Sequence, residues 1–476
     1  MKIEAFPTEP ILRFLTAKEF GIEKLKVYYS DCQYGICESS LGVKLMWERT
    51  AEYRFAEAGD CLVCLQNADG QLYFDYPIPR QDGKMERALE EIERYCVEKE
   101  LPLRFITVPA EGVARLATRY VGQDIKNEHL WRDYVYSTQE ITSFAGKKFS
   151  GQRNHVSKFR KCFPQAVFRK MTEADKPALL RFLARFDATV PQKSANAKAE
   201  REAAFEILRS NESGYFRIGC MEIDGEIAGV SLSEKNGDQL TIHIEKALAS
   251  EYAGIYPALF QETVRAFAQD CHFVNREDDA ADRGLRTSKH QYHPVRLVEK
   301  FTVLPKTLLA GIKSPPCLQT ERLRLDGITE EDAPLYGRLC RDDERNCLWG
   351  YDYRKDLPEN ATDMDFYRAL KADQERGICL NFAIRYDGRF VGEVVLHRPD
   401  YQGELEIGVR IFPTAAGLGI GREALNAVSD WALYTLGATR IRARCFKENA
   451  ASRRMLKNCM KQVREDEKML YFSREI

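Results

Sequence analysis

The sequence lacks an excess of charge of either sign, because 71 basic and 72 acidic residues nearly cancel over 476 residues. Such a chain has no global field that would attract nucleic acid or an anionic membrane, so binding of that kind requires a local patch. No apolar segment approaches the roughly 20 residues that span a bilayer. The opening, MKIEAFPTEPILRFL, lacks the long apolar stretch of a signal peptide. We therefore expect a cytoplasmic protein without a transmembrane segment.

Clustered metal ligands are also lacking. The 14 cysteines are scattered, and in a chain without an export signal we expect them to be reduced and mostly buried. Cys61 and Cys64 form a C-x-x-C pair, but the pair lies in an apolar, strand-like run and has no second pair. Among the seven histidines, His290 and His293 have no nearby set of acidic or thiol partners. The sequence therefore predicts no metal site.

Three stretches contain an Asp-Gly turn between apolar residues, the strongest short-range signal of a β-hairpin. They span residues 66–77, 221–234 and 384–398. Helix-like segments follow them at 84–99, 256–269 and 421–436. This repeat predicts an α+β fold of three similar lobes, with coincidence as the alternative.

A segment with three prolines and one glycine, 303–320, ends the regular pattern that precedes it and predicts a linker. Length alone favours two to four domains. We expect a first domain at 1–305, with lobes at about 1–136 and 137–305. A linker at 306–317 then leads to a C-terminal domain at 318–476.

Glycines occupy alternate positions in AAGLGIGREAL (415–425), between a strand-like run and a helix-like run. Gly417, Gly419 and Gly421 would let the backbone approach a phosphate closely. The N-terminus of the following helix would favour an anion. A plain tight turn is the alternative interpretation.

The surroundings of this loop, LEIGVRIFPTAAGLGIGREALNAVSDWA followed by KENAASRRMLKN, resemble the GNAT family of acyl-CoA N-acyltransferases. The resemblance is strongest to the ribosomal-protein N-terminal acetyltransferases and extends over residues 318–474. It implies that the C-terminal domain uses acetyl-CoA. The cofactor-binding residues that it implies are Ile411, Phe412, Ala416, Gly417, Leu418, Gly419, Ile420, Gly421, Asn449 and Ser452.

Two positions depart from the pattern of that family. Ala416 stands where Gln or Arg is usual, and we expect weakened rather than lost binding because backbone amides do most of the holding. Leu456 stands where many members have a tyrosine as general acid, so water or another group would protonate the leaving thiolate. A general base must take a proton from the acceptor amine. Glu404 and Glu406 share one strand face, and Glu406 is the preferred candidate, with an exposed strand acid as the alternative.

Two charged stretches stand out before residue 305. The first, 146–163, is basic and free of acids, with interleaved phenylalanines, and either follows a phosphate backbone or forms a solvated helix face. The second, 275–301, concentrates charges of both signs and either recognises an aminoacyl group or forms a salt-bridged surface loop. The substrate-binding residues predicted from the two stretches are Arg153, Lys158, Arg160, Lys161, Asp282, Arg286 and Lys289.

The pieces GKKFSGQRNHVSKF, HIEKA, GIYPALFQE and NREDD, followed by YHPVRLVEKF, occur in order. They resemble the C-terminal catalytic domain of phosphatidylglycerol lysyltransferase over roughly residues 20–305. The resemblance implies two tandem GNAT-like lobes that move an aminoacyl group from aminoacyl-tRNA to an acceptor. Only Gly254 remains of a glycine loop in the middle lobe, so CoA is not expected there.

Together these patterns predict an acyltransferase of three GNAT-like lobes, each a mixed, mostly antiparallel sheet flanked by helices. Its cofactor would be acetyl-CoA, its acceptor would carry an amine, and aminoacyl-tRNA would be a further partner. One alternative is an aminoacyl-tRNA-dependent transferase with an accessory GNAT lobe. Another is that the N-terminal pair only binds RNA or peptide. The sequence leaves the acceptor and the oligomeric state open.

Overall fold

The computed structural model describes residues 12–80, 83–99, 101–189, 195–210, 215–349, 353–355 and 357–476. Residues 1–11 lie outside this range. They include most of the segment on which the signal-peptide prediction depends and the start of the predicted first domain. The chain divides into two compact units. The first comprises Met1–Ala114 and Ile125–Leu304, and the second comprises Arg115–Asp124 and Pro305–Ile476.

Helices and strands alternate along most of the described chain. The helices are α1 (Ala17–Phe20), α2 (Ile22–Ser30), α3 (Leu41–Met46), α4 (Glu48–Ala51), α5 (Met85–Glu98), α6 (Ala110–Arg119), α7 (Thr138–Ser143), α8 (Ser150–Cys162), α9 (Lys176–Thr189), α10 (Ala195–Ser210), α11 (Ile255–Phe267), α12 (Arg283–His290), α13 (Ala333–Cys340), α14 (Asp343–Trp349), α15 (Asp363–Glu375), α16 (Ile420–Trp431) and α17 (Ala450–Cys459). The strands are β1 (Arg54–Ala58), β2 (Cys61–Ala68), β3 (Gln71–Asp75), β4 (Ile78–Pro79), β5 (Phe105–Val108), β6 (Gly122–Asn127), β7 (Asp133–Ser137), β8 (Val167–Lys170), β9 (Arg217–Ile223), β10 (Glu226–Asn236), β11 (Gln239–Ala247), β12 (Phe273–Asn275), β13 (Arg296–Val298), β14 (Phe301–Lys306), β15 (Leu318–Gln319), β16 (Leu323–Gly327), β17 (Cys379–Tyr386), β18 (Arg389–His397), β19 (Glu404–Ile411), β20 (Arg440–Phe446), β21 (Lys461–Glu465) and β22 (Met469–Arg474).

The strands form three mixed sheets, and each sheet contains the same type of connection. The first runs β1-β2-β3-β5-β14, the second β13-β7-β12-β11-β10-β9-β8, and the third β15-β16-β17-β18-β19-β20-β22-β21. In each sheet, antiparallel strands lead through one helix to a parallel neighbour: β3–α5–β5, β11–α11–β12 and β19–α16–β20. The predicted α+β fold with three similar lobes is confirmed.

The three predicted Asp-Gly hairpins are present. The aspartate φ angles at positions 69, 224 and 387 are 51, 54 and 48°, and the following glycines have φ of 75, 82 and 72°. Positive φ at both central residues is what a type I′ turn requires. The first turn joins β2 to β3, the last antiparallel pair of its lobe. The other two turns join the pair of strands that precedes the last antiparallel pair of the lobe, β9 to β10 and β17 to β18. The copy at 66–77 is therefore a hairpin at a different place in its lobe.

The two lobes of the first unit exchange strands. Strand β7 pairs with β12 and β13 in the second sheet, whereas β14, which follows them in sequence, pairs with β5 in the first sheet. The predicted lobe segments, 1–136 and 137–305, do not account for this exchange, since most of β7 falls in the first segment and most of β14 falls in the second. Each lobe therefore completes its sheet with a strand from beyond its own segment.

The core of the second unit decides which way its site residues face. Leu405 and Ile407 of β19, and Ile441 and Ala443 of β20, are buried in the core that also contains Leu425 of α16. Side chains alternate along a strand, so the residues between them lie on the opposite face of the sheet. That opposite face carries the charged residues of β19 and β20.

Candidate functional site

Strands β19 and β20 separate in the middle of the third sheet. They pair in parallel over Glu404↔Arg440, Leu405↔Ile441 and Glu406↔Arg442. Strand β19 stays paired with β18 as far as Ile411. In the described structure no strand therefore pairs with the other edge of residues 407–411. The amide and carbonyl groups along this edge line an opening between the two strands.

The glycine loop lies between this edge and α16. Gly417 and Gly419 have φ of 77 and 78°, which favours glycine at both positions. Gly419 precedes the first residue of α16, and no described side chain caps the helix there. Its first amides therefore point away from the helix without an intrahelical acceptor, as an anion site requires. Gly421 has little space for a side chain, since a Cβ would lie 3.3 Å from Met455 Sδ.

Arg322 brings a positive charge to the same loop. Its guanidinium donates to the Leu418 carbonyl at 3.0 Å and pairs with Glu423 at 2.6 Å. Burial works against ionisation of Glu423, but hydrogen bonds from Thr320 and Arg322 outweigh it and lower the pKa of that carboxyl. Ala416 offers no long polar side chain here, whereas Arg322 brings its guanidinium to the loop from outside it.

The other predicted cofactor residues lie at the ends of the flanking elements. Asn449 caps α17, its side-chain oxygen accepting from the Ser452 amide at 3.0 Å. Ile411 ends β19, and Phe412 packs edge-on against Phe390 at 6.2 Å between ring centres. Leu456 is 2% exposed and belongs to the core, so this position offers no proton donor. The roles of these residues stay predictions.

Glu404 lies on the sheet face opposite α16, as its position in β19 requires. Its carboxylate accepts from Arg440 at 2.8 Å and lies 3.2 Å from Arg442. Arg440 also donates to Glu475 at 2.6 Å. Two guanidinium groups thus pair with Glu404. Glu404 also lies two residues farther than Glu406 from the point where β19 and β20 separate, which makes it the weaker candidate for a base.

Glu406 lies on the same face, next to the point where the strands separate. It accepts from Arg444 at 3.0 Å and from Arg398 at 3.3 Å. Burial raises the pKa of its carboxyl, although Arg398 and Arg442 oppose this rise. A raised pKa brings a carboxylate closer to the range in which it can act as a base at neutral pH.

His397, at the end of β18, is a neighbour of Glu406 that the sequence did not indicate. Its Nε2 lies 4.0 Å from Glu406 Oε1. Burial, with the positive charges of Arg398 and Arg442, lowers the pKa of His397 to about 3. The imidazole is therefore neutral at physiological pH and adds no further charge beside the carboxylate.

The corresponding opening in the middle lobe is filled by protein. Gly254 precedes α11 with φ of 88°, but a Cβ there would lie 2.8 Å from the His155 carbonyl of α8. Farther along, Glu245 pairs with Arg276 at 2.5 Å. The guanidinium of Arg276 stacks 4.2 Å from the centre of the Phe260 ring. Helix α8 thus covers the N-terminus of α11, and the stacked ion pair joins β11 to the segment after β12, where the two strands no longer pair.

A buried ionic cluster lies where the two lobes of the first unit meet. Lys300, whose side chain is fully buried, lies 2.7 Å from Asp133 and 2.7 Å from Glu38. Its Nζ is also 3.3 Å from Cys37 Sγ and 3.8 Å from Asp278. Burial raises the pKa of Glu38 to about 7, although the charge of Lys300 opposes the rise.

The same cluster contains ligand types that metals use. The side-chain ligand atoms of Cys37, Glu38 and Asp278 lie within 4.8 Å of one another. The ammonium group of Lys300 contacts all three, so the chain itself supplies the cation that balances their charge. Cys61 and Cys64, the C-x-x-C pair, are buried in β2 as free thiols.

His243 belongs to a second contact between the lobes, close to this cluster because its partner Glu277 is next to Asp278 in the sequence. Its Nδ1 lies 2.6 Å from Glu277 and its Nε2 lies 2.9 Å from Glu234. Glu234 also accepts the amide of Gly42 in α3 at 2.8 Å. Burial opposes protonation of the imidazole, but the two carboxylates outweigh it and raise the pKa of His243 to about 10.

The residues predicted to bind substrate in the first unit lie on two neighbouring helices. Gln152 of α8 donates to the carbonyl of Gln291, just after α12, at 3.0 Å. Lys158 and Lys161 are exposed on α8. The remaining two basic side chains of α8 have partners: Arg153 donates to the carbonyls of residues 144 and 146, and Arg160 pairs with Glu262 at 2.5 Å.

On α12, the predicted residues support the structure of their own segment. Asp282 caps the helix by accepting from the Leu285 amide at 2.8 Å. Arg286 makes two hydrogen bonds to Asp279, at 2.7 and 2.9 Å. Lys289 is buried and donates to the backbone carbonyls of residues 276, 277 and 278. The exposed side of α12 forms a shallow depression of about 640 Å³, lined by Arg283, Arg286, Thr287, His290 and Gln291.

Sequence reasoning missed several residues because their partners are far away in the chain. Arg322 meets the glycine loop, and Lys300 meets Glu38, only through the fold. The alternation in TRIRARCF does show that Arg440, Arg442 and Arg444 share one face. That signal was available from the sequence alone.

Two protein families match the chain. Residues 31–304 match the family described as phosphatidylglycerol lysyltransferase, C-terminal. Residues 322–459 match the family described as acetyltransferase (GNAT) domain. Both are acyltransferase-type domains, and the chain carries one after the other. Among the described residues, no helix combines the length and the apolar character that crossing a bilayer requires.

Individual relatives support the same division. The uncharacterized N-acetyltransferase YoaA of Bacillus subtilis (strain 168) is 28% identical over 142 residues, which cover 30% of this chain and 80% of that protein. A crystal structure of a conserved protein of unknown function from Bacteroides thetaiotaomicron VPI-5482 has a TM-score of 0.58 at 21% identity. The matched region covers 62% of this chain and 100% of the chain from Bacteroides thetaiotaomicron, and it shows that the two folds are alike. The chain therefore belongs to the phosphatidylglycerol lysyltransferase C-terminal domain family and carries a GNAT domain after it.

Proposed function

We propose that the C-terminal domain binds acetyl-CoA in the opening between β19 and β20 and transfers the acetyl group to an amine. The observation that carries this proposal is the free edge of residues 407–411 beside an uncapped helix N-terminus. The amides of residues 417–421, with Arg322, would hold the pyrophosphate. The edge of β19 would pair with the amides of the pantetheine arm.

Acetyl-CoA supplies an acetyl thioester at this site. Glu406 takes a proton from the acceptor nitrogen, which frees the lone pair for attack. Overall, a protonated amine and a thioester give an N-acetyl amide, a thiol and one proton. Nitrogen loses two protons, of which one passes through Glu406 to solvent, and sulfur gains one. Leu456 cannot supply that proton, and we assign the last transfer to solvent.

Replacement of Gly419 by valine tests this site. A side chain there would cover the amides and would lie 3.5 Å from the Arg322 guanidinium. Calorimetry should show at least about tenfold weaker binding of acetyl-CoA, or about 1.4 kcal/mol. The matched control is Gly388→Val, which imposes similar backbone strain at φ of 72° in an open turn. Unchanged affinity in Gly419→Val, or an equal loss in both variants, would rule the loop out.

A second function is supported for the first unit, that of an aminoacyl-tRNA-dependent transferase. Lys158 and Lys161 are exposed on α8, and Glu38, a carboxyl whose pKa burial raises to about 7, lies where the two lobes of the first unit meet. Perturbed carboxyl groups of this kind cluster at catalytic sites. In this proposal Lys158 and Lys161 contact the phosphate backbone of the tRNA acceptor arm.

Salt dependence tests this second function. Affinity for aminoacyl-tRNA should fall steeply with salt, and removal of each lysine–phosphate pair should reduce the log–log slope by roughly 0.7–0.9. Lys158→Glu with Lys161→Glu should lower both affinity and slope, while Lys18→Glu, an exposed lysine on α1, should change neither. Absence of tRNA binding at low salt would favour a module that binds peptide instead.

A further inference from the structure

The arginine face of the third sheet is larger than a general base requires. In β20, Ile441, Ala443 and Cys445 are buried in the core. The alternating residues Arg440, Arg442 and Arg444 therefore lie on the opposite face, with 43, 43 and 31% of their side chains exposed. Arg398, 39% exposed, joins them from the segment after β18.

These guanidinium groups have more donors than their carboxylate partners can accept. Each guanidinium carries five N–H donors in a planar fork. Within the described structure, Arg398, Arg442 and Arg444 each make a single ion pair, with Glu404 or Glu406. The Nε of Arg442 is buried and has no hydrogen-bond partner among the described residues. The face therefore has unused donors next to the two carboxylates.

The position of these donors relates them to the opening. Glu406 and Arg442 are the last paired residues before β19 and β20 separate, and both side chains lie on the face away from α16. A molecule that brings its amine to Glu406 thus brings its neighbouring atoms to Arg442 and Arg444. Planar guanidinium groups recognise carboxylate and phosphate groups by paired hydrogen bonds.

We propose that the acceptor is a small zwitterionic amine, in which a carboxylate or phosphate lies a few bonds from the nitrogen. Glu406 receives the amine, and Arg442 and Arg444 receive the oxyanion. This proposal rests on the proposed acetyl transfer and defines its acceptor. An acceptor whose oxyanion is blocked as an amide would leave the guanidinium donors without a partner, so it is disfavoured.

Matched pairs of acceptors test the proposal. One pair is a free amino acid and its amide, and the other is 2-aminoethyl phosphate and ethanolamine, with radiolabelled acetyl-CoA as donor. In at least one pair the anionic member should have a kcat/KM about tenfold or more above its partner. A preference only in the first pair identifies a carboxylate acceptor, and a preference only in the second identifies a phosphate acceptor.

Variants connect that preference to the arginine face. Arg442→Gln, and separately Arg444→Gln, should reduce the ratio of the two kcat/KM values about tenfold. Arg324→Gln should leave the ratio unchanged, since Arg324 is an exposed arginine on β16 that pairs with Asp326. Thermal melting of each variant checks that it is folded.

Three outcomes would overturn the inference. Amides or peptide N-termini could be the better acceptors, the preference could be absent, or it could persist in both arginine variants. If acetyl-CoA binds by calorimetry in these cases, the proposed acetyl-CoA site stands and only the acceptor assignment fails. If acetyl-CoA does not bind and no amine is acetylated, both proposals fail together.

Discussion

Gly42→Ala should loosen the junction between the two lobes of the first unit. In an ordinary helix, this change stabilises the protein by about 0.5–1 kcal/mol. Here the new Cβ would lie 2.3 Å from His243 Nε2 and 2.6 Å from its Cδ2. Because Glu234 and Glu277 hold both ring nitrogens, the imidazole cannot move aside without losing a hydrogen bond.

The expected size follows from those distances. Loss of one hydrogen bond to a charged group costs about 1.5–3 kcal/mol. Overpacking of a filled site costs about 1–3 kcal/mol more. After the intrinsic gain of alanine is subtracted, the net destabilisation is about 2–5 kcal/mol. The sign is thus opposite to that of an ordinary glycine-to-alanine change in a helix.

Hydrogen exchange measured by mass spectrometry can follow α3 and β11 without interference from the second unit. Peptides from both elements should lose protection in Gly42→Ala. The control is Gly151→Ala in α8, where no atom lies within 4 Å of the new Cβ and protection should be kept or increased. Equal protection in the two variants would refute the assignment of His243 as a tightly held contact between the lobes.

Three further predictions concern single groups. The pKa of His243 is raised from 6.5 to about 10, so its charge stabilises the first unit fully below pH 6.5 and is lost as pH rises through about 10. Urea unfolding of the wild type should show this alkaline loss, and His243→Gln should be less stable at pH 7 with a flatter pH dependence between 7 and 10. Glu406→Gln should lower kcat for acetyl transfer by about 10²–10⁴ while the Kd of acetyl-CoA stays unchanged, and an unaltered kcat would exclude Glu406 as the base. Arg322→Ala should weaken acetyl-CoA binding about tenfold or more, whereas Arg324→Ala should not; equal Kd values would remove Arg322 from the site.

Local signals predicted the repeated parts of the fold well. An Asp-Gly turn is read from a few residues, because its positive φ angles depend on those residues alone. The position of such a turn within a lobe depends on strand pairing, and the turn at residues 69 and 70 is one strand later than the repeat in the sequence indicated. The return of β14 to β5 left no local signal, because each strand is simply an apolar run.

The candidate site likewise combines residues that local spacing predicts with residues that only the tertiary structure brings there. The glycine loop and the shared face of Glu404 and Glu406 follow from spacing along one segment. Arg322, just before β16, and His397, at the end of β18, reach the site from other parts of the chain, and only the folded sheet brings them there. Ion pairs such as that of Lys300 with Glu38 depend wholly on tertiary structure, so the positions of charged residues along the chain could not identify them.

The exchange of strands also determines when the first unit can mature during translation. Strand β5 receives its antiparallel partner only when residues 301–306 have been synthesised. Until that moment the edge of β5 can pair with any other extended chain, which is the usual origin of misassembly. A nascent chain that stops before residue 301 therefore carries an incomplete first sheet, however well its own helices have formed. The two lobes are a single unit of synthesis as well as of structure, and neither can be released by cutting the gene between them.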